Sequence, residues 1–260
     1  MKSKFYTRPV LVSLLLSGAV LYALGGCSNL KGFTADPGFT AEVVRGEEMA
    51  LLGVVTGFQK LTMEESQEYA ALMQKLIAEK RPQYKLLALE KVRESVGPGK
   101  FDELTALYVT DGMFLKPSLD VFRQSIQARY LAIVRVEQDE TGVPQWVRQG
   151  WETDPEERAK WGTIVNVWVD RSVLVSLRIY DLKQPRQVWY AQADTWGREE
   201  KPYTVQNEAE IEQVLALEPA GEGMGTSAGH PLEKRFPSPD PSPLSLLLAR
   251  TIRDMAAKLP

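Results

Sequence analysis

Ser172 to Trp196 reads SVLVSLRIYDLKQPRQVWYAQADTW. Val173, Val175, Leu177 and Ile179 alternate with Leu174, Ser176, Arg178 and Tyr180. A period of two places the first set on one face of a strand and the second on the other. Asp181 to Arg186, DLKQPR, carries Pro185 and reads as a turn. Gln187 to Trp196 is then the returning strand of an antiparallel hairpin.

Working outward, Val165 to Val169 is strand-rich, Gln145 to Thr153 has strand composition, and Arg158 to Thr163 reads as a turn or loop. Tyr130 to Glu137, YLAIVRVE, is a strand bounded by polar residues. Helical patterns precede it. Pro117 to Ala128 places Leu119, Phe122 and Ile126 at helical spacing, and Asp102 to Asp111 is a second helix. Gly97-Pro98-Gly99 closes a helical turn over Leu89 to Val96. Tyr84 to Leu89 is a short strand. Thr62-Met63-Glu64-Glu65 has the T-x-x-E spacing of a capping box. Behind it Tyr69, Leu72, Met73 and Leu76 share one helix face, which ends before Pro82. Met49 to Thr56, MALLGVVT, reads as a first strand buried on both faces. Strands alternating with helices, then a hairpin, predict an α/β (α+β) fold with a single mixed sheet and flanking helices. No internal repeat is present.

The expected domain spans 49–197, and 198–260 reads as a tail. Asn207 caps a short helix running to about Leu217. Pro219 to Pro243 is rich in Gly and Pro, which predicts an extended or mobile loop. Leu244 to Leu259 is an amphipathic helix with Leu247, Leu248, Ile252 and Met255 on its apolar stripe. Such a stripe must dock on something.

At the other end, Lys2, Lys4 and Arg8 precede an apolar run from Val10 to Leu24. As a helix that run would be roughly 22 Å long, short of a hydrocarbon core of about 30 Å. A basic start, a short apolar run and small residues predict a signal peptide over 1–26. The run ends in Leu24-Gly25-Gly26-Cys27, which contains the sole cysteine of the chain. This tetrad resembles the lipobox of bacterial lipoproteins. The resemblance implies cleavage before Cys27, diacylation of its thiol and acylation of the new amino group. Two or more acyl chains anchor stably where one is marginal. Ser28 stands where an Asp would resemble an inner-membrane retention signal, so the expected location is the outer membrane, facing the periplasm. Polar residues 27–48 suit a lipidated tether.

The 260 residues are 44% hydrophobic and 25% charged, which is globular composition. A lone cysteine excludes an intramolecular disulfide, and a lone histidine excludes a multi-His metal cluster. Without residues 1–26 the chain keeps 28 Lys and Arg against 34 Asp and Glu. Mild acidity with no basic stripe argues against nucleic acid and against a polybasic membrane patch. No cofactor or metal is implied.

Chemical motifs are sparse. Gly225-Thr226-Ser227-Ala228-Gly229 matches G-x-S-x-G, but no strand precedes Ser227 and His230-Pro231 follows instead of a helix. Gly221, Gly223 and Gly225 lack the Lys-Ser/Thr of a P-loop. Glu156-Glu157 and Glu199-Glu200 read as solvated pairs. The six tryptophans, Trp146, Trp151, Trp161, Trp168, Trp189 and Trp196, are expected mostly to fill and cover the sheet. Trp146 and Trp161 have the most polar surroundings and are the expected surface pair, available to a protein or a glycan.

A lipobox followed by MALLGVVT, a capped helix, RYLAIVRVE and VLVSLRIYDLKQPRQVWYAQADTW is similar to the α/β domain of lipoproteins of the curli-secretion and penicillin-binding-protein-activator type. The similarity covers residues 49–197. It implies an envelope role, in assembling a secretion pore or in reaching a synthase. The expectation is a non-enzymatic, lipid-anchored periplasmic protein that binds another envelope protein or its own copies. A glycan- or peptidoglycan-binding module is the alternative, and a serine hydrolase at Ser227 a remote one.

Overall fold

The computed structural model describes residues 29–149, 163–205 and 231–260. The long hairpin dominates it. Strand β6 is continuous from Thr163 to Asp181, and β7 from Arg186 to Val205. They pair antiparallel along their whole length. Asp181 closes the turn by accepting from the backbone of Lys183 at 2.8 Å and Gln184 at 3.3 Å. The strands expected at 165–169 and 172–180 are therefore one, and the expected domain edge at 197 falls inside β7.

Five further strands complete the sheet. They are β1 (Asn29–Ala35), β2 (Glu48–Thr56), β3 (Lys85–Leu87), β4 (Tyr130–Thr141) and β5 (Gln145–Gln149). The order is β1-β7-β6-β4-β2-β3, and β5 continues the line of β4 along β6. Strands β2, β3 and β4 are parallel, and the rest of the sheet is antiparallel. The α/β fold with a mixed sheet is thus as expected.

The segment expected to be a tether is folded. Asn29–Ala35 is the edge strand β1, antiparallel to β7. An Asp36-Pro37-Gly38 turn follows, in which Gly38 N donates to Asp36 Oδ1 at 2.8 Å. Helix α1 (Ala41–Arg45) then buries Val44, capped by Thr40.

Helices cover both faces. On one lie α3 (Leu89–Val96), α4 (Pro98–Asp111) and α5 (Lys116–Ser125). Gly97, at φ +87°, ends α3 and starts α4, with Pro98 at the first helical position. Phe101, Leu104, Tyr108, Leu119 and Phe122 from these helices meet Ala50, Leu52, Leu131 and Ile133 from β2 and β4.

The opposite face is shared by helices distant in sequence. Helix α2 (Met63–Lys80) has the expected capping box. Glu65 N donates to Thr62 Oγ1 at 3.2 Å, and Thr62 N donates to Glu65 Oε2 at 2.8 Å. Its Met73, Leu76 and Ile77 lie over β2, in one apolar cluster with Tyr130, Ala132 and Val134 of β4. The last helix, α7 (Leu244–Ala256), lies over β6 and β7. Its Leu247, Leu248, Ile252 and Met255 are fully buried against Val173, Val175, Leu177, Trp189 and Ala191. The last part of the expected tail is therefore core.

The approach to α7 is equally fixed. A one-turn helix, α6 (Pro231–Arg235), leads into Phe236, which is buried with Trp146, Val165, Val167 and Val205. Trp146 Nε1 donates to Phe236 O at 3.0 Å. Farther on, Arg171 pairs with Asp139 at 2.6 Å and donates to Ser242 O at 3.1 Å. Ser242 Oγ donates to Glu199 at 2.9 Å. Of the extended or mobile loop expected over 219–243, the described part, 231–243, is held in place by these contacts. Beyond α7, Arg81 donates to the carbonyls of Ala257 and Leu259. Tyr84 Oη donates to Pro260 O at 2.8 Å.

Two expectations follow. Leu248→Ala should lower the unfolding free energy by about 2–5 kcal/mol, while Leu246→Ala on the exposed side changes it by less than about 0.5 kcal/mol. Urea denaturation measures both. Burial also pushes the Tyr84 phenol up to about 12. Folding thus favours the neutral phenol, and that contribution is complete below pH 10 and lost as pH rises through 12. Tyr69, Tyr130, Tyr180 and Tyr190 shift upward through burial as well. Stability should therefore fall above pH 10, and Tyr84→Phe should flatten that fall, read as the melting temperature against pH.

Candidate functional site

The chain leaves the carboxyl end of β2 at Thr56 and enters α2 at Met63 after six intervening residues, on one face of the sheet. From β3 it returns to β4 through α3, α4 and α5 on the other face. The two crossovers part at β2, and a crevice opens between them at its carboxyl end. Such switch points are where open α/β sheets commonly accept ligands.

The crevice is a cleft of about 1500 Å³. Its floor holds Leu52 and Val55 of β2, and one wall holds Leu89, Phe101 and Val109 of α3 and α4. Across from them stand the 57–62 loop and the first turn of α2. Phe58 and Met63 are exposed on this lip, by 47% and 62%. Lys60, Glu90 and Glu94 add charge to the lining, and Arg93 pairs with Asp102 at 3.2 Å. Sites for small molecules usually measure about 300–1,000 Å³ and are largely enclosed. This cleft is larger and open, with an apolar floor and a polar rim, which suits a peptide segment.

The cleft is held in shape from below by Arg135 of β4. Its Nη2 donates to Val109 O, in the last turn of α4, at 3.1 Å. Its Nη1 pairs with Glu137 at 3.3 Å, and Glu137 accepts from Ser176 Oγ at 2.7 Å. The guanidinium lies under two glycines. Gly57 starts the lip loop, and a Cβ there would stand 3.0 Å from Arg135 Nη2. Gly112 caps α4 at φ +71°, and a Cβ there would stand 2.6 Å from Arg135 Nη1. Thr56 Oγ1 donates to Gln59 O, which tightens the same loop. The Thr62 backbone N–H holds the Glu65 carboxyl below the usual range. The anion-attracting end of α2 is thereby already filled by its own side chain.

At the opposite end of the sheet the groups are ionic. Arg129 bridges Glu47 and Asp181 at 3.1 and 3.0 Å, and Lys183 reaches Glu47 at 2.7 Å. The Lys183 hydrogen bond holds the Glu47 carboxyl below its ordinary range. This cluster ties the hairpin turn to the start of β2.

The sequence-based site residues fare unevenly. Trp146 is internal, 9% exposed, because β5 turns its indole toward Phe236. Its expected surface role is therefore incorrect. Among the described residues, the indole left in the open is Trp196, at 49%. Trp189 is fully buried. Leu24, Gly25, Gly26, Cys27, Trp151, Trp161, Ser227 and His230 lie outside the described residues. Sequence reasoning missed the cleft because its parts are spread from Leu52 to Thr110. The capping box was the one local signal pointing to it. Among the described residues, no helix is long and apolar enough to cross a membrane, and no group of three or more His, Cys, Asp or Glu could hold a metal ion.

No family model and no curated protein matches the chain. Solved structures do. One is the PelC dodecamer from Paraburkholderia phytofirmans, at 12% identity and TM-score 0.33 over 65% of this chain and 82% of that one. A second is lipoprotein GNA1162 from Neisseria meningitidis, at 9% identity and TM-score 0.33, covering 65% and 93%. A third is the C-terminal domain of LpoB from Salmonella enterica, at 8% identity and TM-score 0.30, covering 65% and 88%. Identities this low carry no function across.

Substitution at the two helix-capping glycines should separate the role of Arg135. Gly97→Ala meets nothing within 4 Å and should cost only the strain of an alanine at φ +87°, ψ +130°, about 1–3 kcal/mol. Gly112→Ala must also displace Arg135, so it should cost about 1 kcal/mol less in an Arg135→Met background, in which Gly97→Ala keeps its full cost. Denaturant titration of both variants tests the difference.

Proposed function

We propose that this chain is a lipid-anchored cell-envelope lipoprotein that acts by binding another envelope protein, without catalysis. The reading combines the lipobox at Leu24–Cys27 with the cleft. Acylated Cys27 would fix the domain at a membrane, with the outer membrane facing the periplasm as the location. Residues 1–26 would be the removed signal peptide. Tethering raises the effective concentration of partners confined to the same surface.

The observation that carries the binding role is the open cleft at the carboxyl end of β2. Phe58 gives it a rigid aromatic anchor and Met63 an adaptable one. Its lining supplies apolar contact and scattered rim charges rather than a paired acid and base. The glycan-binding alternative, as first placed on Trp146, has lost its described residue to the core. A homo-oligomer remains a form that such a partner contact can take.

Anchor and cleft are tested separately. Cys27→Ala should move the protein from the membrane pellet to the soluble fraction; retention in the pellet would show that the lipoprotein assignment is wrong. Phe58→Asp with Met63→Asp should abolish site-specific cross-links made from a photoreactive group at Lys60. The fold should be unaffected, with stability within about 0.5 kcal/mol, because both side chains are exposed. Unchanged cross-linking would remove the cleft from the binding surface.

A further inference from the structure

Ser28 alone separates Cys27 from the first residue of β1. Two extended residues reach at most about 7 Å. Asn29 pairs with Asp194, in a register that puts position 27 opposite Trp196 if continued outward. Trp196 is the exposed tryptophan among the described residues and lies two positions along β7 from the partner of Asn29.

Other exposed apolar side chains gather at the same edge. Leu30 and Phe33 of β1 are exposed by 40% and 47%. They share the sheet face of Ala193 and Ala191, whereas Trp196, across from Ser172, is on the other face. Leu246 lies in the first turn of α7, which packs onto Gly197, and is 42% exposed. So four of the ten exposed large apolar side chains among the described residues flank the first residues of β1 and its neighbour on β7. Two cations stand beside them, Lys31 paired with Asp194 at 3.0 Å and Arg198 paired with Asp170 at 2.8 Å.

We infer that this edge is the surface that seats the domain on the lipid bilayer. Leu30, Phe33, Trp196 and Leu246 enter the headgroup layer next to the acyl chains of Cys27. The inference rests on the lipid-anchored reading. The occupant follows from where the chain outside the described residues ends. A linker of one residue cannot lift the edge clear of the membrane, so these side chains meet lipid whether or not another protein is present. Indole is the side chain suited to that depth, since its apolar body and N–H match the boundary. Lys and Arg add headgroup contact while their stems cover apolar surface. The seat also fixes orientation. A single acylated point leaves the domain free to pivot, and a second, apolar contact removes that freedom.

The test uses the acylated full-length product in vesicles of phosphatidylethanolamine and phosphatidylglycerol, with a phospholipid brominated near the top of its chains. Intact mass first reports whether Cys27 carries acyl chains. Bromolipid should quench part of the tryptophan emission, and Trp196→Phe should remove about half or more of that quenching while co-flotation with vesicles stays complete. Equal quenching in the wild type and the variant would overturn the seat and leave the anchor standing. Flotation without quenching would do the same. An unacylated Cys27 by mass would overturn the anchor and the seat together. In a Trp196→Cys variant, a disulfide-linked dimer forming in place of lipid quenching would show that the edge joins two copies instead.

Discussion

The fold depends on covering the apolar face of β6 and β7. Val173, Val175, Leu177 and Ile179 on β6 stand beside Trp189, Ala191 and Ala193 on β7, and all are at most 2% exposed. A two-stranded ribbon with such a face has no stability in water on its own. Helix α2 covers only the β2 and β4 part of the face. The remainder is sealed by α7, the last regular element of the chain. At about 25 cal/mol per Å² of apolar surface, burying four large side chains of α7 contributes several kcal/mol, comparable to the net stability of a domain. The segment that precedes it delivers this helix to its place.

That delivery explains polar residues that otherwise look merely solvated. The Phe236–Pro243 segment runs along the far part of the hairpin, and its backbone is fixed at Phe236 O, Pro237 O and Ser242 O. Four prolines in FPSPDPSP lower the entropy lost on ordering it. The segment lacks N–H groups at those prolines, so it is recognised through its carbonyls, by Trp146, Tyr203 and Arg171. Arg171 is itself aimed by a bidentate pair with Asp139. Gly197 is required where the segment crosses β7, because Ser242 and Leu247 fill the space a Cβ would take. The chain end is then gripped by Arg81 and Tyr84, which close α7 onto α2.

Much of this was legible in the sequence. Short apolar runs revealed β2 and β4, periodicity revealed the hairpin, α2 and α7, and the Thr62 capping box marked the start of α2 to the residue. The misreadings share a cause. NLKGFTA has no apolar alternation, because β1 is an edge strand whose pairing is supplied by β7 rather than by its own side chains. The extension of β7 past Trp196 carries charged residues, REEK, because the helices there give way to solvent and to the Pro-rich segment. Trp146 looked exposed among polar neighbours. Its indole is internal only because Phe236, 90 residues later, folds over it. Local sequence cannot report a partner so distant. For the same reason the cleft had no linear motif, since Arg135 joins a loop at 57 to a helix end at 112 only once the sheet has formed.

The sheet register links the proposed anchor to the proposed binding site. Thr56, Val136, Val175, Ala193 and Leu30 lie in one row across five strands. The mouth of the cleft begins at the Thr56 end of this row and β1 begins at the other. Both therefore stand at the same level of the sheet, four strand spacings apart, or about 19 Å, while β6 and β7 run on past this row to Thr163 and Val205. The ionic cluster of Arg129, Glu47 and Asp181 lies toward the hairpin turn, at the other end of these strands. With Cys27 acylated, a partner segment entering the cleft would lie about 19 Å from the anchored edge. This geometry favours a partner that is itself held at the membrane, because both molecules then search a shared layer instead of a volume. With Cys27 acylated, the shortness of the chain between it and β1 would sharpen the selection. A long linker would let the cleft sample the periplasm, whereas one intervening residue would confine it to what the membrane presents.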